Sequence, residues 1–105
     1  MLYRPSIPVG PYTIGAPFEW DPAKAAVNVK RHGISFHGAA AVLADPLSTT
    51  FPDEVHSEDE ARFLTIGAAA LGNILVVAHT ERIDTIRIVS ARRATRQERA
   101  FYEQG

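Results

Sequence analysis

Four polar residues follow Trp20 at a spacing that can gather them on one side of a helix. Lys24, Asn28 and His32 are four residues apart, and Arg31 lies three residues after Asn28. Amine, guanidinium and imidazole groups can bind a phosphodiester and move protons. The same spacing is typical of the solvent-exposed face of an amphipathic helix, and a histidine near a helix C-terminus can simply stabilise the helix dipole.

A second set of cations lies near the C-terminus, after His79 at the end of an apolar run. Six arginines fall within 18 residues: Arg82, Arg87, Arg92, Arg93, Arg96 and Arg99. RNA cleavage without a metal needs a base for the 2′-hydroxyl, an acid for the 5′-oxygen and cations for the charge on the phosphorane. These groups suit that chemistry, and Arg92 is expected to meet His79 at one end of a sheet. Taken alone, His79 also fits a histidine at the edge of the core.

Other kinds of site are disfavoured by the sequence. The chain has no cysteine, which excludes disulfides and thiolate chemistry. Six acidic residues and no Lys or Arg lie between Asp45 and Glu60, but they match neither H-E-x-x-H nor an EF-hand loop. An acidic, flexible loop over residues 52–60 is therefore expected, with no metal and no cofactor. The net charge of −1 conceals a molecule with one acidic and one basic region.

The elements that would hold these residues can be predicted from local signals. At 105 residues the chain is one domain, with a Pro-rich extended arm over residues 1–17 and a folded part over residues 18–105. Asp21-Pro22 opens a helix that ends at Gly33, Ser35 opens a second helix, and Thr95 with Glu98 opens a C-terminal helix. Strands are predicted at residues 18–20, 47–51, 62–69, 74–80 and 85–91. The order β-α-α-β-β-β-β-α predicts an α+β fold, an antiparallel sheet with helices mainly on one face.

Three blocks in order resemble the BrnT family of type II toxins, over about residues 18–103. The blocks are FEWDPAKAAVNVKRHGISFHGAAAVLADPL, RFLTIG and LVVAHTERIDTIRIVSARRATRQERAFYE. The resemblance implies a RelE-like fold, ribonuclease activity and a BrnA-like antitoxin whose DNA-binding half represses the shared operon. Trp20, Gly33, Thr95 and Glu98 belong to these blocks but have sufficient structural roles. The Pro-rich arm is not part of the family pattern.

The residues and the resemblance together give one hypothesis for the site. The expected catalytic residues are His32, His79, Arg82 and Arg92, and the expected RNA-binding residues are Lys24, Lys30, Arg62, Arg87 and Arg93. The acid–base group would be His79 or His32, and cleavage would pass through a 2′,3′-cyclic phosphate without a metal.

Two alternatives stay open, because binding and cleavage use the same cations. The chain could be a non-catalytic module that binds antitoxin or operator, or an inactivated toxin. Expected partners are RNA, a BrnA-like antitoxin in a hetero-oligomer, and operator DNA through that antitoxin. An antitoxin is expected to cover the basic face, in a complex that weakens as salt rises. No apolar run is long enough to cross a membrane, and the cytoplasm is the expected compartment.

Overall fold

A computed structural model describes residues 18–82 and 85–104 of the chain; the predicted Pro-rich arm, residues 1–17, lies outside them. The strands are β1 (Phe18–Glu19), β2 (Thr49–Pro52), β3 (Arg62–Ala68), β4 (Ile74–Glu81) and β5 (Ile86–Arg93). The helices are α1 (Pro22–His32), α2 (Phe36–Leu43) and α3 (Arg96–Gln104), with a short 3-10 turn at Glu54–His56. The predicted element order is confirmed. In the part of the chain that the structure describes, no helix is long and apolar enough to span a membrane.

Helix boundaries follow the predicted capping residues. The Asp21 carboxylate accepts a hydrogen bond of 2.8 Å from the backbone two residues on, and Gly33 ends α1 at φ 72°, which favours glycine. The Ser35 hydroxyl accepts a bond of 3.0 Å at the start of α2. Thr95 and Glu98 form a reciprocal capping box with distances of 3.1 and 2.8 Å. Local side-chain chemistry therefore sets where each helix begins.

The five strands form one sheet in the order β1-β5-β4-β3-β2. The pairs β2–β3, β3–β4 and β4–β5 are antiparallel, whereas β1 pairs with β5 in parallel. The sheet is therefore mixed, which corrects the expectation of a purely antiparallel one. The reason is the long crossover from β1, through α1 and α2, to the far side of the sheet. Two residues of β1 carry no signal for the direction of their partner.

The core lies on both faces of the sheet. One cluster packs α1 and α2 on the central strands and includes Phe36, Leu43 and Val77. The other contains Val76 and is covered by Tyr102 of α3. Because consecutive strand residues point to opposite faces, α3 covers the face opposite to α1 and α2. The helices are thus divided between the two faces rather than gathered mainly on one.

A β-bulge in β5 changes which of its residues point to the core. Neighbouring residues of β4 pair with Ile88 and Ser90, so Val89 is an extra residue on β5. After Ile88, the next fully buried position is therefore Ala91 rather than Ser90. A regular strand would place Ile86, Ile88, Ser90 and Arg92 on one face, and the bulge ends this alternation after Ile88. For the same reason Arg92 lies on the face that α3 covers rather than on the face that α1 and α2 cover.

Candidate active site

Asn28 anchors α1 to the edge of the sheet. Its Nδ2 donates to the carbonyl oxygens of Ile34 and Ala91, both at 2.9 Å, and its Oδ1 accepts from the Ala91 N–H at 3.1 Å. The side chain thus completes backbone hydrogen bonds of β5 as a neighbouring strand would. Asn28 is the buried residue of α1, which corrects its expected place on the solvent-exposed polar face.

The apolar residues of α1 do not all face the sheet. Val27 is 53% exposed and Val29 is 49% exposed, whereas Ala25 packs against the core. Ala23 and Ala26 are exposed as well, although small apolar residues on an amphipathic helix usually face the core. Since an amide occupies the contact with β5, the helix is rotated so that two valines meet solvent.

A groove of about 270 Å³ runs along α1, where the helix passes the bulge of β5. It is lined by Ala23, Lys24, Val27, Asn28, Arg31, His32, Val89 and Ser90. The structure therefore brings together Lys24, Arg31 and His32, as the helical spacing predicts. Lys30 is exposed on the same helix but is not among the residues that line this groove.

The cations of α1 differ from the C-terminal arginines in their partners. Among the described residues, Lys24, Arg31 and His32 form no ion pair with a carboxylate. By contrast, the guanidinium of Arg92 donates two bonds, of 2.8 and 2.9 Å, to the Glu98 carboxylate. Arg87 donates to Glu19 at 2.7 Å, and Arg82 lies 3.4 Å from Glu60. The groove on α1 is therefore better able to accept an added anion.

The arginines on the strands do not form one cluster. Arg87 pairs across the sheet with Thr80 near the C-terminal end of β4, whereas Arg93 pairs with Leu75 near its N-terminal end. Arg87 and Arg93 are six positions apart on β5, which corresponds to about 20 Å along an extended strand. Arg62 pairs with Thr80 at the first of these ends. The expected strand site is thus divided between opposite ends of the sheet.

His79 lies inside the sheet, with none of its surface exposed to solvent. Its Nε2 is 2.8 Å from the hydroxyl of Thr65, which lies 2.7 Å from the hydroxyl of Thr50. Its ring also lies 6.1 Å from that of Phe63. Desolvation by burial lowers the pKa of His79 to about 4, so the imidazole is neutral near pH 7.

The position of His79 corrects its expected meeting with Arg92. His79 pairs with Ile88, whereas the partner of Arg92 is Val76, three residues earlier on β4. An imidazole that is fully buried in this way does not reach an RNA 2′-hydroxyl. His32, which is half-buried at the groove, is the remaining histidine of the sequence hypothesis.

The pair Arg92–Glu98 is a structural clamp between β5 and α3. Bonds from Arg92, with the capping bonds at Thr95, lower the pKa of Glu98 to about 2. The same pairing raises the pKa of Arg92. Arg92 therefore already neutralises a carboxylate of its own chain.

Trp20 and His37 form an aromatic contact that the sequence hypothesis did not include. The His37 ring is exposed and lies 4.8 Å from the Trp20 ring, edge to face. Trp20 also contacts Phe36, with ring centroids 5.9 Å apart, which fits the structural role expected of it. No feature of the sequence indicated that His37 would contact Trp20, since His37 lies on the exposed side of a short helix. Within residues 18–82 and 85–104, no group of three His, Asp or Glu side chains is placed to hold a metal ion.

The fold of the chain is an α+β fold shared with a solved toxin. The crystal structure of the Brucella abortus ribonuclease toxin BrnT is similar to it with a TM-score of 0.61 and 22% sequence identity. The match covers 76% of this chain and 97% of the other. The predicted fold class is confirmed by this likeness and by the three helices and five-stranded sheet.

A family assignment follows from the sequence itself. The family described as the ribonuclease toxin BrnT of type II toxin–antitoxin systems matches residues 20–98. The chain belongs to the BrnT family, as its three sequence blocks predict. No curated protein sequence matches the chain.

Proposed function

We propose that this chain is a metal-independent endoribonuclease whose catalytic centre is the groove on α1. The observation that supports this assignment is the set of cations there that have no carboxylate partner in the described structure. Arg31 and Lys24 would bind phosphates, and His32 would be the acid–base group. Family membership supports the ribonuclease class, and the geometry favours this groove over the paired arginines.

The length of the groove suggests how RNA would lie in it. Eight residues separate Lys24 from His32, which corresponds to about 12 Å along the helix axis. We therefore assign the scissile phosphate to Arg31 and His32 and a neighbouring phosphate to Lys24. Because Asn28 fixes α1 to β5, Ser90 on the strand keeps a constant position relative to these cations.

The proposed reaction is an internal transfer at phosphorus. The imidazole of His32 takes the proton of the 2′-hydroxyl, whose oxygen attacks the phosphorus atom. The bond to the 5′-oxygen breaks, and the imidazolium returns the proton to this leaving oxygen. The products are a 2′,3′-cyclic phosphate and a free 5′-hydroxyl. The guanidinium of Arg31 stabilises the extra charge of the phosphorane.

The partner proposed for this toxin is a BrnA-like antitoxin that covers the α1 face and contacts operator DNA. The exposed Val27, which lines the groove, supports a protein partner on this face, beside the cations. A complex that combines both kinds of contact would weaken as salt rises without being abolished. The same valine favours the second candidate function, a non-catalytic antitoxin-binding module.

The deciding experiment is cleavage of a defined RNA by the purified chain, with and without EDTA. Wild-type cleavage should persist in EDTA, and the product should carry a cyclic phosphate. Arg31→Ala should lower the rate about 10²–10³-fold, by analogy with the loss of one oxyanion donor. His32→Ala should lower it by about 10²–10⁴-fold, as expected for an acid–base group.

Lys30→Ala is the matched control, because Lys30 is an exposed cation of the same helix outside the groove, a placement that disfavours its expected role in RNA binding. Its rate should equal that of the wild type, and all variants should have unchanged thermal melting. Loss of cleavage in EDTA with recovery on adding one divalent ion would refute metal independence. Equal losses for Lys30→Ala and Arg31→Ala would refute the location of the site. A wild-type chain that binds antitoxin but cuts no RNA would establish the non-catalytic module.

A further inference from the structure

A second groove, of about 350 Å³, lies between the segment after β2 and the ends of β3 and β4. It is lined by Val55, His56, Glu58, Asp59, Glu60, Arg62 and Thr80. The proposed cleavage of RNA uses none of these residues. An acidic rim repels a polyanion, so this placement also disfavours the expected role of Arg62 in binding RNA.

We call the two lining residues at the strand ends, Arg62 and Thr80, the floor of the groove; each carries one buried polar atom that has no hydrogen-bond partner in the described structure. These atoms are the Nε of Arg62 and the hydroxyl oxygen of Thr80. Thr80 is only 4% exposed, so its side chain is shielded from bulk water. Buried donors of this kind are normally satisfied. The floor is therefore suited to a ligand that presents a hydrogen-bond acceptor to Arg62 Nε.

The carboxylates at the rim of the groove favour a positively charged ligand. Glu58, Asp59 and Glu60 are consecutive, exposed carboxylates around the opening. Glu60 already attracts a guanidinium, since Arg82 of the same chain lies 3.4 Å from it. Guanidinium and carboxylate groups pair well because their planar forks match. A ligand for this groove therefore combines a cation at the rim with an acceptor at the floor.

We propose that the groove binds an arginine-bearing, extended segment of the antitoxin. A backbone carbonyl of that segment accepts from Arg62 Nε, and its guanidinium meets Glu58 and Asp59. The identity of the partner rests on the proposed toxin–antitoxin function, whereas the recognition chemistry rests on the groove alone. A second copy of this chain fits less well, since Arg96 and Arg99 lie on a helix. Helical carbonyls are already bonded within the helix, so they are poor acceptors for Arg62.

The test is a titration of the ¹⁵N-labelled full chain with N-acetyl-arginine-N-methylamide, followed by NMR. This probe carries the guanidinium and the backbone carbonyls of one extended residue. We expect saturable shifts of the Arg62 Nε–H signal and the Thr80 amide, and much smaller shifts with N-acetyl-glutamine-N-methylamide. The double variant Glu58→Gln/Asp59→Asn should weaken binding at least about fivefold, as expected when opposite charges are removed. Glu103→Gln on α3 is the matched control and should leave the affinity unchanged.

Several results would overturn this inference. They are the absence of saturable shifts at Arg62, equal shifts with the glutamine probe, and shifts centred on α1. Shifts of the Arg62 signal with protein concentration alone would assign the groove to a second copy instead. RNA cleavage measured on the same double variant separates the two proposals. Unchanged cleavage with lost probe binding supports both, whereas lost cleavage would contradict the assignment of the groove to binding alone.

Discussion

Replacing Asn28 with alanine removes the two hydrogen bonds that tie α1 to Ala91 of β5 and the one to the Ile34 carbonyl, and the expected cost can be worked from these three bonds. A buried hydrogen bond contributes about 0.5–1.5 kcal/mol net, and a buried group left unsatisfied costs about 1–3 kcal/mol. Ala91 is fully buried, so its N–H loses its partner without gaining water. We therefore expect the free energy of unfolding to fall by about 3–5 kcal/mol, a large part of the stability of a small domain.

Urea unfolding followed by circular dichroism measures this change directly. Lys24→Ala is the control on the same helix, because an exposed residue with no ion-pair partner among the described residues should change the free energy of unfolding by less than about 0.5 kcal/mol. Asn28→Asp should also destabilise, since a carboxylate cannot donate to the carbonyls of Ile34 and Ala91. A loss below about 1 kcal/mol for Asn28→Ala would refute the reasoning, because it would fall below the cost of one unsatisfied buried group.

Three further predictions concern stability. Burial holds the pKa of His79 at about 4, so the unfolded chain takes up the proton first. The free energy of unfolding should therefore fall as pH drops from about 6.5 to 4, and urea melts of His79→Gln should be flatter across this window than those of the wild type. The pKa of Glu98 is lowered to about 2, so its contribution should be complete above pH 4.5 and lost as pH falls to about 2. Glu98→Gln should remove that acid dependence, and an unchanged melt between pH 4.5 and 2 would contradict it. A Cβ added at Gly67 would lie 3.0 Å from Cγ1 and the carbonyl oxygen of Val42, so Gly67→Ala should lower the midpoint of thermal melting, with a loss of about 1–3 kcal/mol. An unchanged midpoint would show that α2 can move away at no cost.

Helix starts and strand positions could be predicted from the sequence because their causes are local. Asp21, Ser35 and Thr95 each bond a backbone N–H within a few residues, so their roles do not depend on the rest of the fold. The cations of α1 could be grouped for the same reason. Helical spacing alone places Lys24 and His32 along one groove.

The features that could not be predicted depend on distant partners. Asn28 is separated by 63 residues from the strand that it bonds, so its spacing resembled that of an exposed polar residue. No feature of the sequence indicates that Val89 is an extra residue of β5. The resulting bulge nevertheless turns the side chain of Arg92 to the other face of the sheet. His79 appeared to end an apolar strand, but β4 continues to Glu81 and keeps its imidazole inside.

The outer side of β5 also bears on how another protein can attach to this chain. Within the described residues, strand β1 pairs with two residues of β5, and the Asn28 side-chain amide bonds the backbone of Ala91 further along. A foreign strand therefore cannot extend the sheet at that side without displacing α1. The opposite edge, β2, has four residues and ends at Pro52, which has no N–H to donate. Both features disfavour the addition of a foreign strand to the sheet that the structure describes, and they lower its tendency to aggregate edge to edge.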